Sequence, residues 1–374
     1  MRLRASRPSF NATSALTIPS SGRAYGTPLK SNVGRHALLT MPSSVTRYSN
    51  LAPLSLDQRV QLSIAALTFF SPMQYGAMCQ ILGRPPETGK VSPFTGRDFT
   101  TYLKHIKLLD EPDRYVYRLR ELLAKLERVG ILMEVGRGGD IFFGAHYYAM
   151  LELTTRQREG IGWLAGALGP EFLYWMYSSI TMQVTGTNSV GDIVAGTALV
   201  IAPNRVLTCA HVLNDMSLDK SQTFKEQQFT VLRAVSHPTI DVGVIEFSPS
   251  LPLLPGLAFR DPIVAEPVFT LGFPRVPLSR QPALVMQRGE VTTPAVTLLD
   301  GSEVFLYSAV ARPGNSGGPI LSETGHVVGI VTEELSEKSN DFRMPFHAGV
   351  QTTVLIRALA EIDSSFTLPL EHYQ

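Results

Sequence analysis

Two spacings of apolar residues alternate with polar ones along this chain. Helical spacing dominates residues 55–129. Leu56, Val60, Ile64 and Leu67 recur every three or four positions after Ser55-Leu-Asp-Gln58, a capping-box pattern, and the run stops at Ser71-Pro72. Residues 73–82 predict a second short helix ending near Gly83, and residues 99–109 a third, after a Pro/Gly-rich loop. Residues 116–129 predict the best-formed helix: Leu119, Leu122, Leu123, Leu126 and Val129 make one stripe, Glu121 and Lys125 pair at i,i+4, and Gly130 supplies a C-cap. Strand spacing follows. Residues 131–135 and 141–148 predict a hairpin around Arg137-Gly-Gly-Asp140. Residues 161–184 carry only Glu171 as a charged group and are broken by Gly169-Pro170, so they predict a packed pair of connector helices and not a membrane span. Residues 353–362 predict the final helix.

Three later segments carry candidate chemistry. Gly196-Thr-Ala-Leu-Val-Ile-Ala-Pro-Asn-Arg-Val-Leu-Thr-Cys-Ala-His-Val212 reads as strand, turn at Pro203-Asn204, strand, then His211 at the mouth of a short helix. In Ser236-His-Pro-Thr-Ile-Asp-Val-Gly-Val-Ile-Glu-Phe247, Asp241 precedes an alternating strand. Arg312-Pro-Gly-Asn-Ser-Gly-Gly-Pro319 sets Ser316 among glycines before another strand. Alone, a histidine is more often a core residue, an aspartate a turn cap and a Gly/Ser/Pro run a loop. Together they supply what a hydroxyl nucleophile needs: a base to take its proton, and a carboxylate to hold the base in one tautomer. The glycines permit backbone turns that aim the amides of Gly314 and Ser316 at one point, where an oxyanion would develop.

These segments resemble the trypsin/chymotrypsin-like serine peptidases, and the bacterial high-temperature-requirement branch more than the digestive enzymes. The matching stretches are Leu-Thr-Cys-Ala-His-Val, His237-Pro-Thr-Ile-Asp241 and Gly314-Asn-Ser-Gly-Gly-Pro319, with Leu271-Gly-Phe-Pro274 and Val327-Val-Gly-Ile-Val-Thr332 where the family has cleft-lining strands. The resemblance spans roughly residues 178–362. It implies an all-β fold of two six-stranded barrels with the active site between them, His211 as general base, Asp241 as its orienter, Ser316 as nucleophile, and Gly314 and Ser316 as oxyanion donors. It further implies a substrate pocket with Val310 and Ala311 at its floor and Thr332 and Glu333 along the substrate strand. His347 would face an acidic or amide side chain, or serve as an ordinary core or surface residue. Val310 and Ala311 favour a small or aliphatic side chain. The resemblance gives no expectation of a PDZ module after the barrel.

The helices before the hairpin suggest an α+β domain similar to bacterial winged helices. The chain is thus read as a basic tail (1–54), a winged-helix-like domain (55–156), a connector helix (157–177) and a peptidase domain (178–374). Residues 1–54 hold seven Arg or Lys and no Asp or Glu; residues 178–374 hold twelve basic and nineteen acidic residues. The tail reads as disordered, as an organelle-targeting segment, or as sequence before a start at Met41. Two cysteines, Cys79 and Cys209, suggest a reducing compartment or simply buried thiols, and the expected location is cytoplasmic, with an organelle as the alternative if the tail is a targeting segment. No metal or cofactor motif is evident.

The leading expectation is a serine endopeptidase acting on peptides or proteins, latent until the N-terminal domain meets a regulatory protein partner. By resemblance such a chain is similar to accessory or effector components of bacterial multi-protein systems, including anti-phage defence. Two rivals stand beside it: a DNA-binding regulator whose peptidase half cleaves itself or a repressor, and a pseudo-protease scaffold. The modest charge of residues 55–156, thirteen basic against eleven acidic, favours protein contact over nucleic acid.

Overall fold

The computed structural model describes residues 53–335 and 346–371. Its first helix, α1 (Leu56–Phe69), starts where the capping box predicts: Ser55 Oγ accepts from the Gln58 amide at 3.1 Å, and Gln58 Oε1 accepts from the Ser55 amide at 2.9 Å. α2 (Tyr75–Ile81) follows a single 3-10 turn at Pro72–Gln74. A two-residue strand β1 (Phe94–Thr95) leads into α3 (Gly96–His105), capped by Thr95 and Asp98. α4 (Val116–Arg128) buries Leu119, Leu122, Leu123 and Leu126. Val129, placed on that stripe by spacing alone, is exposed, because the helix has ended and Gly130 turns at φ +77°. β2 (Leu132–Arg137) and β3 (Ala145–Ala149) form the predicted hairpin, but its second strand starts four residues late. Asp140 is the reason: its carboxylate accepts from the amides of Phe142 and Phe143 and holds them in a turn. β1 pairs with the far side of β3, giving a three-stranded sheet in the order β1-β3-β2.

The connector contains α5 (Thr155–Glu159), α6 (Ala165–Leu168) and α7 (Pro170–Tyr177). Gly169, at φ +78°, separates the last two, and Pro170 opens α7, where its missing N–H costs nothing. The sequence expectation of helix up to residue 184 fails at its end. Residues 181–187 form a strand, β4 (Thr181–Thr187), in which buried positions alternate with half-buried ones from Met182 to Gly186. α7 buries Phe172, Leu173, Met176 and Tyr177, and the Tyr177 hydroxyl donates to the Gly325 carbonyl at 2.7 Å. One apolar cluster therefore runs from α1 and α4 through the connector into the β half.

The β half has two parts. The first comprises β4, β5 (Ile193–Ala202), β6 (Arg205–Thr208), helix α8 (Ala210–Asn214), β7 (Ser217–Leu218), β8 (Ser221–Phe224), β9 (Gln227–Ser236) and β10 (Gly243–Ser248). Its strands lie in the order β7-β4-β5-β6-β10-β9-β8, a seven-stranded sheet and not the closed six-stranded barrel expected. A side chain spans the gap between β4 and β8. The Gln222 amide accepts from Thr185 N at 2.9 Å and donates to Thr185 O at 2.8 Å, a side-chain substitute for one ladder rung. The second part is a closed barrel of six strands, β11 (Pro267–Gly272), β12 (Val285–Thr297), β13 (Glu303–Tyr307), β14 (Pro319–Ser322), β15 (Val327–Leu335) and β16 (Phe346–Gln351), in the order β11-β12-β13-β16-β15-β14. Val268, Val291, Phe305, Ile320, Val328 and Val331 fill it. The last helix, α9 (Thr352–Ile362), matches its predicted span within a residue.

Candidate active site

The β5-β6 hairpin delivers His211. Its turn falls at Pro203-Asn204 as the pattern predicts, β6 ends at Thr208, and the buried Cys209 leads directly into α8, which begins at Ala210. Asp241 lies in the turn leading into β10. β10 pairs with β6 in a register that sets Gly243 opposite Thr208, which brings the two turns together. A Cβ on Gly243 would lie 2.6 Å from Leu213 Cδ1 on α8 and 3.1 Å from the Cys209 carbonyl.

His211 and Asp241 make a double contact. The carboxylate accepts from the His211 amide at 3.0 Å through Oδ1 and meets the imidazole Nδ1 at 2.8 Å through Oδ2. The Thr332 hydroxyl also donates to Oδ2. Burial of Asp241 alone would raise its pKa, but the bond and charge of His211, the Thr332 hydroxyl and the His211 amide outweigh it and lower the pKa to about 2. The carboxylate is thus ionised at neutral pH and accepts only, so Nδ1 of the neutral imidazole carries the proton and Nε2 keeps its lone pair. That is the protonation state in which an imidazole can act as a base.

Ser316 sits in a tight turn between the two β parts. Gly314 has φ +98° and Gly317 φ +82°, both in the left-handed region that favours glycine. A Cβ on Gly314 would lie 2.5 Å from the Phe273 carbonyl, and one on Gly317 would overlap Thr197 O and Thr208 Oγ1. The turn is tied to both sides. Thr197 N donates to Ser316 O at 3.0 Å, and Gly317 N donates to Val331 O at 2.9 Å. Thr197 Oγ1 donates to Gly314 O at 2.6 Å and accepts from Phe273 N at 2.9 Å. Arg275 N donates to the Pro313 carbonyl at 3.2 Å. A planar trans peptide points its N–H away from its C=O, so the Gly314 amide faces the other side of the turn. Among the described residues, neither the Gly314 nor the Ser316 amide donates to a backbone carbonyl.

The remaining expected residues are distributed around this centre. Thr332, assigned by sequence to the substrate strand, spends its hydroxyl on Asp241. Val310 is 43% exposed, whereas Ala311 packs against the barrel's interior cluster. His347 is buried on β16. Glu333 continues β15 beyond Thr332, and its side chain lies outside the described residues, as does the basic tail up to residue 52. Sequence reasoning missed Thr197, whose bonds to Gly314 and Phe273 brace the serine turn. Its only signal was its place after Gly196 in the histidine segment. Cys209 is fully buried with its thiol donating to Val331 O at 3.1 Å, the core position expected. Cys209, His211 and Asp241 place donor atoms within 4.8 Å of one another, but the imidazole and carboxylate are already engaged with each other. Beside the dyad opens a cleft of about 670 Å³, bordered by His211, Asp215, Thr239, Asp300, Ser302 and Ala348.

Residues 196–330 match the family model of the trypsin-like peptidase domain. This part of the chain is a trypsin-like serine peptidase domain. The matched stretch holds His211, Asp241 and Ser316 in order and stops two residues short of Thr332. No curated protein matches the chain. Solved structures similar to it include the Rv3671c protease of M. tuberculosis in its active form, at 20% identity over 53% of this chain and 86% of that one, with a TM-score of 0.42. A serine endoprotease from Yersinia pestis is similar at 17% identity over 52% of this chain and 66% of that one, with a TM-score of 0.41. The HtrA-type protease AlgW with a tripeptide is similar at 17% identity over 51% and 63%, with a TM-score of 0.41.

Proposed function

We propose that this chain hydrolyses peptide bonds through an acyl-enzyme on Ser316. The observation that carries the reading is the His211–Asp241 contact at 2.8 Å, made by an ionised carboxylate that also accepts the His211 amide. In this reading Nε2 of His211 takes the Ser316 proton as Oγ attacks the substrate carbonyl. The amides of Gly314 and Ser316 receive the oxyanion. His211 then returns the proton to the leaving amine, and water repeats the sequence to release the acid. Thr332 joins Asp241 as a positioning residue. No cofactor enters this chemistry. A direct test is reaction with an activated p-nitrophenyl ester. A burst of p-nitrophenol with an acyl adduct on the Ser316 peptide by mass spectrometry supports the assignment, and an adduct at another residue, or equal burst in Ser316→Ala, contradicts it.

We further infer that residues 55–156 form a winged-helix-like module that serves protein contact. The sheet order β1-β3-β2, with α4 running directly into the β2-β3 hairpin, supports this reading. The hairpin tip exposes Ile141 and Phe142 beside Tyr117 on α4. Glu127 and Glu134 stand in the same groove as Arg120 and Arg137, and that mixture suits a protein surface better than a phosphate backbone. A regulatory partner bound there would control the peptidase half through the shared apolar cluster. Among the described residues no helix is long and apolar enough to cross a membrane. Salt-dependent affinity for duplex DNA at or below micromolar Kd would overturn the protein-contact reading.

A further inference from the structure

The turn that carries Asp241 encloses a second histidine, which the proposed chemistry leaves unused. β9 ends at Ser236 and β10 begins at Gly243, so residues 237–242 make the hairpin tip between them. The backbone closes this tip at its base, where His237 N donates to Val242 O at 2.8 Å. Within the tip, Val242 N donates to Ile240 O at 2.7 Å. The amides of Thr239 and Ile240 lack such a partner: among the described residues, no backbone carbonyl accepts from either. The ring of His237 takes both. Its Nδ1 accepts from Thr239 N at 3.2 Å and from Ile240 N at 2.9 Å. Ile240 directly precedes Asp241.

The other edge of the ring is tethered to the last helix. His237 Nε2 meets Glu361 Oε2 on α9 at 2.8 Å. Only 3% of the His237 side chain is exposed, against 55% of Glu361. An Nδ1 that accepts two N–H groups holds a lone pair, so the proton of the neutral imidazole sits on Nε2 and is donated to Glu361. This is the opposite tautomer to that of His211, whose Nδ1 proton faces Asp241. The two nitrogens have separate consequences. Nδ1 supplies the acceptor that the tip's backbone lacks, as an Asx side chain does in other turns. Nε2 fixes the ring against α9. Without the ring, the Thr239 and Ile240 amides would turn to water, the tip would relax, and the carboxylate would move with it. Asp241 meets two groups of His211 at once, the amide at 3.0 Å and Nδ1 at 2.8 Å, so its place is narrowly set.

We propose that His237 is a positioning residue: by gathering the Thr239 and Ile240 amides on Nδ1 it fixes the turn that sets the Asp241 carboxylate against His211, and Glu361 anchors it to α9. This rests on the reading of His211 and Asp241 as base and orienter for Ser316. A displacement of about 1 Å in such a group costs on the order of 10²-fold in rate, so a ring that never touches substrate can govern turnover. The final helix is thereby linked to the dyad through one imidazole.

The test compares three variants of the full-length chain. His237→Asn keeps an acceptor at the place of Nδ1 and loses the tether. His237→Gln keeps a donor at the place of Nε2 and loses the acceptor. His237→Ala loses both. The first readout is the low-field proton of the His211 Nδ1–H bond to Asp241, observed with ¹⁵N-labelled histidines. It should persist in the wild type and His237→Asn, and weaken or vanish in His237→Gln and His237→Ala. The second is acylation of Ser316 by the p-nitrophenyl ester. Its maximal rate should fall about tenfold to a hundredfold in His237→Gln and His237→Ala, at an unchanged half-saturating ester concentration, and recover in His237→Asn. A merely structural residue would lower Tm and the number of active sites while each remaining site acylates at the wild-type rate. Should His237→Ala fail to fold, His237→Asn against His237→Gln decides the matter. A wild-type chain without the low-field proton, a resonance unchanged in His237→Gln, or a rate that His237→Asn does not restore overturns the assignment. A wild-type chain that shows the low-field proton but no acylation contradicts Ser316 as nucleophile, and the resonance in the variants then decides the role of His237 by itself.

Discussion

Asp241 shows how one residue sets the state of its neighbours. Its carboxylate collects three hydrogen bonds and stays ionised down to a pH of about 2. A depressed carboxylate pKa contributes stability that is present above the unfolded value near 3.9 and is lost as pH falls through the folded value. Around neutrality the dyad is therefore insensitive to Asp241 titration. Asp241→Asn keeps the shape but presents an amide that can donate to the imidazole, which favours the wrong tautomer. We expect kcat to fall on the order of 10³–10⁴-fold while the chain still folds; a loss under tenfold in steady-state kinetics would remove Asp241 from its role. The candidate residues and their order stand out in the sequence, because each is embedded in a strand-turn pattern of its own. Their bracing does not. Thr197 and Thr332 act across the molecule, on Gly314 and Asp241, and no local spacing marks a hydroxyl that finds its partner 117 or 91 residues away.

Elements carried by strong local signals emerged where expected. α1 has its capping box, α4 its leucine stripe, and the β5-β6 hairpin its Pro-Asn turn. Misplaced boundaries have physical causes. Residues 181–184 continue the uncharged run that follows Glu171, but β5 pairs with residues 181–187 along their whole length, and that long-range ladder decides the conformation. The first β part shows the same dependence on distant partners, since Gln222 replaces a missing rung between β4 and β8. Gln222→Ala would leave the Thr185 amide unmet, while its carbonyl keeps the Asp219 amide at 3.1 Å. We expect a loss of about 2 kcal/mol, roughly 4–8 °C in Tm. An unchanged Tm in calorimetry would mean that water replaces the side chain without cost.

At the scale of the molecule, the helical region and the peptidase half share one apolar core through α6 and α7. A second tie is polar. The Glu371 carboxylate accepts from Thr154 Oγ1 at 2.7 Å and meets His326 Nε2 at 3.3 Å, joining the cap of α5 to the end of the chain and the turn before β15. Burial lowers the His326 pKa, and the Arg260 charge lowers it further, against the upward pull of Glu371. The unfolded chain then binds this proton more readily than the folded one, so His326 withdraws stability as pH falls through about 6.5. The drop in Tm from pH 7.5 to pH 5.5 should be smaller in His326→Gln than in the wild type; a steeper drop in the variant would reverse the sign of this account. None of this joining was visible in composition, which marks a helical segment and a β segment but not the surface where they meet.

We propose that Ser316 is activated by His211 within a formed turn. The most direct measurement is labelling of the purified full-length chain with a fluorophosphonate probe, with mass spectrometry of the modified peptide and Ser316→Ala in parallel. The account predicts a single adduct at Ser316, absent from Ser316→Ala and strongly reduced in His211→Ala. Labelling at another residue, or an intact fold with no adduct at Ser316, would contradict it.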